Sequence, residues 1–252
     1  MINIENISVT YNAGTANEVK ALQQLSLQVL PKSFVLLLGS NGSGKSTFFN
    51  ALSGTAQIDS GKIFIDNQPI HEWNAYKRSA LFTRVFQNPL QGTVTGLSVI
   101  ENFRIAALRT HSSKNIFAGV STSFRKKVQE VISESGLPLA NRLDTLMGNL
   151  SGGQRQALTL LMATMADCKV IMMDEPTAAL DPRSAELVIN TTQKIFQSSP
   201  VTIFYITHNM KEAVSLGNRL LIFKEGRIAI DASDTEKQKW DLQRLHGWFD
   251  EG

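Results

Sequence analysis

Three segments carry residue types and spacings that could do chemistry. Gly39-Ser40-Asn41-Gly42-Ser43-Gly44-Lys45-Ser46 follows the pattern G-x-x-x-x-G-K-[ST], with Thr47 next. Its glycines let successive backbone N–H groups wrap phosphate oxygens without Cβ clashes. A helix starting there adds the positive end of its dipole. Lys45 would reach the β and γ phosphates of a nucleotide, and the Ser46 hydroxyl would hold Mg²⁺. The second segment is Asp174-Glu175, directly after Val170-Ile171-Met172-Met173. A carboxylate at the carboxyl end of a buried strand can hold Mg²⁺, and its neighbour can orient or deprotonate an attacking water. The third is Leu150-Ser151-Gly152-Gly153-Gln154. Ser151 and Gln154 have capping-box spacing, and two glycines beside an N-cap serine expose N–H donors. On the residues alone this is equally a second anion site or simply a well-capped helix.

These segments need a scaffold of strands that end where the chemistry begins. Phe34 to Leu38 is wholly apolar, as a strand buried on both faces must be, and runs into the glycine-rich loop. A short helix follows from Ser46 to Ser53, closed by Gly54. Val170–Met173 and Val201–Ile206 are two more buried strands, the latter ending at Thr207-His208. Alternation of apolar and polar residues predicts half-buried strands at Ile2–Val9 and Leu25–Val29. Ile63-Phe64-Ile65 is a strand ending at the turn pair Asp66-Asn67, and 220–230 reads as a hairpin. Between the strands lies a helical stretch. Ser98 caps a helix running to about Leu108, with Glu101 completing a capping box, and Phe124–Ser135 is a second helix stopped by Gly136 and Pro138. Asp181 and Pro182 are the N-cap and first residue of a later helix, broken at Ser198-Ser199-Pro200.

Composition narrows the class. The chain has 252 residues, 42% hydrophobic and 19% charged, which is ordinary for a globular protein and excludes wholesale disorder. No apolar run approaches the ~18 residues needed to span a bilayer, and the N-terminus has no signal-peptide pattern. One cysteine, Cys168, precludes an intramolecular disulfide, fits a reducing compartment, and reads as a small buried hydrophobe. A net charge of +3 is too mild to argue for nucleic acid, and Arg125-Lys126-Lys127 reads as one solvated helix face.

Taken in order, Gly39–Thr47, Gln87, Leu150–Gln154, Val170–Glu175, Asp181 and His208 resemble the motifs of the ATP-binding-cassette (ABC) ATPases. The likeness covers essentially the whole chain. It implies an α/β fold: a P-loop core with a mixed sheet flanked by helices, an antiparallel β subdomain, and an inserted helical subdomain. The expected division is a catalytic core of 1–87 and 166–252, with the helical subdomain at 88–165. ATP and Mg²⁺ are the implied ligands. The resemblance gives Tyr11 to adenine stacking. Gln87 takes the Q-loop role, at Mg²⁺ or the lytic water, and His208 the switch role at the γ-phosphate. Asp181 lies in the loop that crosses a dimer interface. Ser151, Gly152, Gly153 and Gln154 would serve a nucleotide held by a second ATPase subunit, so that two copies sandwich two ATP molecules head to tail. Departures are small: Phe48-Phe49 stand where leucines are common, and Ala178 precedes Ala179-Leu180-Asp181 where a serine is frequent.

Gly14–Leu22, Thr207-His208-Asn209-Met210 and Gly217-Asn218-Arg219-Leu220 resemble separately encoded importer ATPases of tryptophan/tyrosine-type or uncharacterised uptake. That implies a membrane-peripheral motor on the cytoplasmic face, working with integral-membrane permease subunits and an extracytoplasmic substrate-binding protein. An exporter or lipid-extraction ATPase is the alternative. A soluble ATPase on DNA or ribosomes is disfavoured, because no heptads separate the phosphate loop from Ser151 and only one cassette is present. The apolar residues Pro89, Leu90, Val94 and Leu97, leading from Gln87 to Ser98, are the expected docking surface for a permease helix.

Overall fold

The structure is a computed structural model that describes residues 1–108, 119–165, 168–237 and 239–240. In chain order the strands are β1 (Ile2–Tyr11), β2 (Val19–Val29), β3 (Phe34–Gly39), β4 (Ser60–Ile65), β5 (Gln68–Pro69), β6 (Phe82–Val85), β7 (Val170–Asp174), β8 (Thr202–Ile206), β9 (Arg219–Lys224) and β10 (Arg227–Ser233). The helices are α1 (Lys45–Ser53), α2 (Ala75–Arg78), α3 (Val99–Ala107), α4 (Thr122–Ser135), α5 (Gly152–Thr164), α6 (Pro182–Ser198), α7 (Met210–Ser215) and α8 (Asp234–Lys237). Two compact units form, one from Met1–Phe82 with the described part of Val201–Gly252, the other from Thr83–Pro200.

The first unit holds two sheets. One is antiparallel in the order β2-β1-β4-β5, and its last hairpin turns at Asp66-Asn67, both with positive φ (50° and 65°). That is the geometry of a two-residue turn matched to strand twist. In the other sheet β3 runs parallel to both β8 and β9, while β10 pairs antiparallel with β9. Every residue of β3 and β8 is buried, as their continuous apolar sequence requires. Phe48 and Phe49 are fully buried in α1 and pack on Phe204, with Phe48 also against Phe223. The two phenylalanines thus fill core volume and reach no ligand.

The second unit is mainly helical. Ser98 caps α3 with the full capping box, and Ser121 caps α4, which ends at Gly136 in the left-handed conformation. Helices α5 and α6 pack together, and Cys168 is buried, its Sγ donating to the Ala163 carbonyl. Strand β7 lies beside β6, whose last three residues open this unit. Arg125 pairs with Asp144, and Lys126 and Lys127 are exposed. The mixed sheet, the antiparallel sheet and the helical stretch are those expected. The boundary expected at 166, and 109–118 within the expected helical insert, lie outside the described residues. No helix among the described residues is long and apolar enough to cross a membrane.

Candidate active site

In the first unit the glycine-rich loop leaves the carboxyl end of β3 and closes into α1. Gly42 and Gly44 take φ of 80° and 106°, a region that side chains disfavour. A Cβ on Gly44 would lie 2.6 Å from the Ala21 carbonyl oxygen, whereas at Gly42 the same position faces open space. The loop is braced from outside, since Gly226, in the β9–β10 turn, donates its N–H to the Ser43 carbonyl. Lys45 is buried, and its ammonium donates to the carbonyls of Gly39 and Ser40 (both 2.8 Å) and to Ser43 Oγ (3.2 Å). Its charge therefore sits inside a ring of backbone at a helix N-terminus, the arrangement that suits a polyphosphate. Ser40, Asn41 and Ser46 are exposed around it, and Thr47 is half-buried.

His208 belongs to the same unit. Leu37 in β3 pairs with Ile206 in β8, and Thr207 donates its N–H to the Leu37 carbonyl, so the phosphate loop and His208 issue from neighbouring strand ends. Thr207 Oγ1 donates to the buried Glu212 carboxylate at 2.7 Å and accepts from the Asn209 N–H. Asn209 in turn caps α7. Both neighbours are pinned, and His208 is presented exposed between them. Tyr11 ends β1 and is partly exposed.

The second unit holds the carboxylates. Asp174 ends β7, half-buried, with Arg84 Nη2 donating to its Oδ2 at 2.5 Å. Glu175 follows with φ of 45°, left-handed for a residue with a Cβ. Such a backbone costs about 1–3 kcal/mol and persists only where the surrounding structure over-determines it. Gln87 lies exposed just beyond β6, the strand beside β7. Hydroxyl and carboxylate oxygens such as those of Ser46 and Asp174 are the donors that Mg²⁺ takes.

The Ser151 segment is in this unit too. Ser151 Oγ accepts the Gln154 N–H, and Gln154 Oε1 accepts the Ser151 N–H, so the capping box is made in full. Gly153 has a packing reason of its own: a Cβ there would lie 2.4 Å from Ser184 Cβ in α6. Gly152 is open, with Leu180 at 3.4 Å from its added Cβ, which brings this helix start beside Asp181. Asp181 caps α6, and hydrogen bonds from Ser184 hold its carboxyl below the usual range. Arg155 ties the approach to the helix by donating to the carbonyls of Met147 and Leu150.

The "ABC transporter" family description matches residues 22–178. The tyrosine transport ATP-binding protein of Clostridioides difficile (strain R20291) is 34% identical over 248 residues, 97% of each chain. The chain belongs to the ABC-transporter ATPases. Another relative of this ABC ATPase is the phosphonates import ATP-binding protein PhnC 3 of Nostoc sp. (strain PCC 7120), 30% identical over 98% of this chain and 92% of that one. Among solved structures, the dimeric structure of MJ0796, a bacterial ABC transporter cassette, is similar with a TM-score of 0.76 at 25% identity. It covers 93% of this chain and 99% of that one. The ABC ATPase binds and hydrolyses ATP.

Two residues near these motifs stand out only in the structure. Arg84 is a lone charge in an otherwise uncharged strand, a signal that motif spacing passes over. Gln156 is fully buried in α5, where it donates from Nε2 to the Phe86 carbonyl at 2.8 Å, immediately before Gln87. Helix α5 is buried nearly all round, so periodicity gives no face on which a polar residue would stand out.

Proposed function

We propose that this ABC ATPase is the motor of an uptake system for a small solute such as an amino acid. The observation that carries this reading is the 34% identity, along 97% of both chains, to a tyrosine transport ATP-binding protein. Import is further supported by the likeness to a phosphonates import ATPase.

In this reading Gly39–Thr47 cradle the phosphates of ATP, with Lys45 as the counter-charge, and Tyr11 covers the adenine. Ser46, Asp174 and Gln87 would hold Mg²⁺, which would neutralise phosphate charge. Glu175 accepts a proton from water as the water oxygen bonds to the γ-phosphorus. The bond from that phosphorus to the β–γ bridging oxygen breaks, and its electron pair leaves with ADP. His208 contacts the γ-phosphate from its pinned loop. Ser151, Gly152, Gly153 and Gln154, beside Asp181, complete the nucleotide site of a second copy, a reading supported by the dimeric cassette relative. The catalytic core comprises 1–87 and 166–252, and 88–165 is the helical subdomain. Permease subunits dock on the loop after Gln87, where Leu90 and Val94 are 50% and 48% exposed. A binding protein delivers the solute on the far side of the membrane.

The test is reconstitution with the permease and binding protein in vesicles. Solute should accumulate on the side that holds ATP, and binding protein loaded with solute should stimulate hydrolysis. Leu90→Glu and Val94→Glu should leave ATP binding intact yet weaken permease co-purification. Solute moving to the opposite side would replace import with export.

A further inference from the structure

The ion pair at the end of β7 has no role in the reading above. Arg84 and Asp174 are only 21% and 19% exposed, on neighbouring strands, with Arg84 Nη2 at 2.5 Å from Asp174 Oδ2. The guanidinium also lies over the Phe86 ring, 5.2 Å from its centroid. A half-buried carboxylate is poorly screened and needs a cation nearby. Here a tethered one from the same chain is already bonded to the residue assigned to Mg²⁺. A guanidinium bonded to one carboxylate oxygen and a divalent ion held by the same group repel each other strongly where water is scarce.

We propose that Arg84 is the resident counter-ion of Asp174, and that it competes with magnesium so that the metal binds only together with a nucleotide. The inference rests on the assignment of Asp174 to Mg²⁺ made above. Free Mg²⁺ must give up part of a tightly held water shell while displacing a cation that costs no translational entropy to keep in place. A nucleotide changes that balance. Its phosphates supply further oxygen ligands and negative charge, enough for the metal to be held while the guanidinium withdraws. The Phe86 ring gives the released guanidinium a face to rest on. Phe86 also receives the Gln156 hydrogen bond on its carbonyl and precedes Gln87, so the exchange takes place three residues from the Q-loop glutamine. Arg84 is then a positioning residue: it touches a metal ligand and sets when that ligand becomes available.

The test is equilibrium binding of a fluorescent ATP analogue, N-methylanthraniloyl-ATP, to the full chain over a series of MgCl₂ concentrations. Arg84→Met should reach its Mg²⁺-dependent tightening at about fivefold to tenfold less Mg²⁺ than wild type. Its affinity in EDTA should stay within about twofold of wild type, because the pair faces the metal and not the nucleotide. Arg84→Lys keeps the charge and should retain a midpoint near that of wild type. If the methionine variant lost its cooperative melting, Arg84→Gln would carry the same expectation. A midpoint that is unchanged, or shifted to more Mg²⁺ as for an orienting tether, would overturn the inference while leaving the ATPase reading in place. A wild-type chain that bound no analogue at any Mg²⁺ concentration would overturn both.

Discussion

At the residue scale, Glu175 and Lys45 divide the chemistry between them in the function proposed above. Glu175 stands in a left-handed backbone just past the end of β7, where its carbonyl accepts the Ala178 N–H as the chain turns. Glu175→Gln should keep nucleotide affinity near wild type while lowering hydrolysis by about 10²–10⁴-fold, the usual worth of a general base. Lys45→Ala should lose nucleotide binding itself, since its ammonium is the charge at the centre of the loop. Phosphate release paired with a binding titration separates the two, and near-normal turnover by Glu175→Gln would remove the water-activating assignment. The spacing of Gly39, Lys45 and Asp174 is legible because each stands in a contiguous run beside a buried strand. Arg84 and Gln156 are not, because each matters through a partner 70 or more residues away in sequence, Asp174 for one and Phe86 for the other. No local pattern encodes such a pairing.

Element α1 must hold still for Lys45, its first residue, to stay in the loop. Its far end is anchored by Arg78, which is buried and bonded to backbone carbonyls. The guanidinium donates to the carbonyls of Ala51 and Leu52 at the end of α1, and to those of His71 and Trp73. Burial lowers its pKa, yet a positive charge against the negative end of a helix dipole is well placed. Arg78→Leu should destabilise the protein by about 2–4 kcal/mol, because several buried carbonyls would lose a charged donor. Urea unfolding would measure it, and a change below about 0.5 kcal/mol would show that water replaces the guanidinium freely. Elements with caps or continuous apolar runs were readable in the sequence: α3 from Ser98 and Glu101, α6 from Asp181 and Pro182, β3 and β8 from their unbroken hydrophobicity. The short α2, α7 and β6 were not, since four to six residues offer too little periodicity. Strand β2 begins at Val19 rather than Leu25: Val19 and Lys20 are exposed, Ala21 and Leu22 are buried, and pairing of Val19, Lys20 and Leu22 with Tyr11, Thr10 and Val9 of β1 sets this stretch.

At the scale of the whole molecule, in the function proposed above, one chain supplies only half of each nucleotide site. Two copies arranged head to tail would close each ATP between the phosphate loop of one copy and the Ser151 helix start of the other. Gly152 is open, with Gly153 packed tightly on Ser184, so the helix start is rigid on one side and accessible on the other. An arginine at 151 would remove the cap and fill that accessible side. The most direct measurement is sedimentation of the Glu175→Gln chain, whose slowed hydrolysis keeps ATP bound. The mass should be that of a monomer without nucleotide, should double with Mg-ATP, and should stay monomeric with Mg-ATP when Ser151→Arg is added. A chain that remained monomeric at saturating Mg-ATP, or doubled equally well with Ser151→Arg, would contradict the shared site.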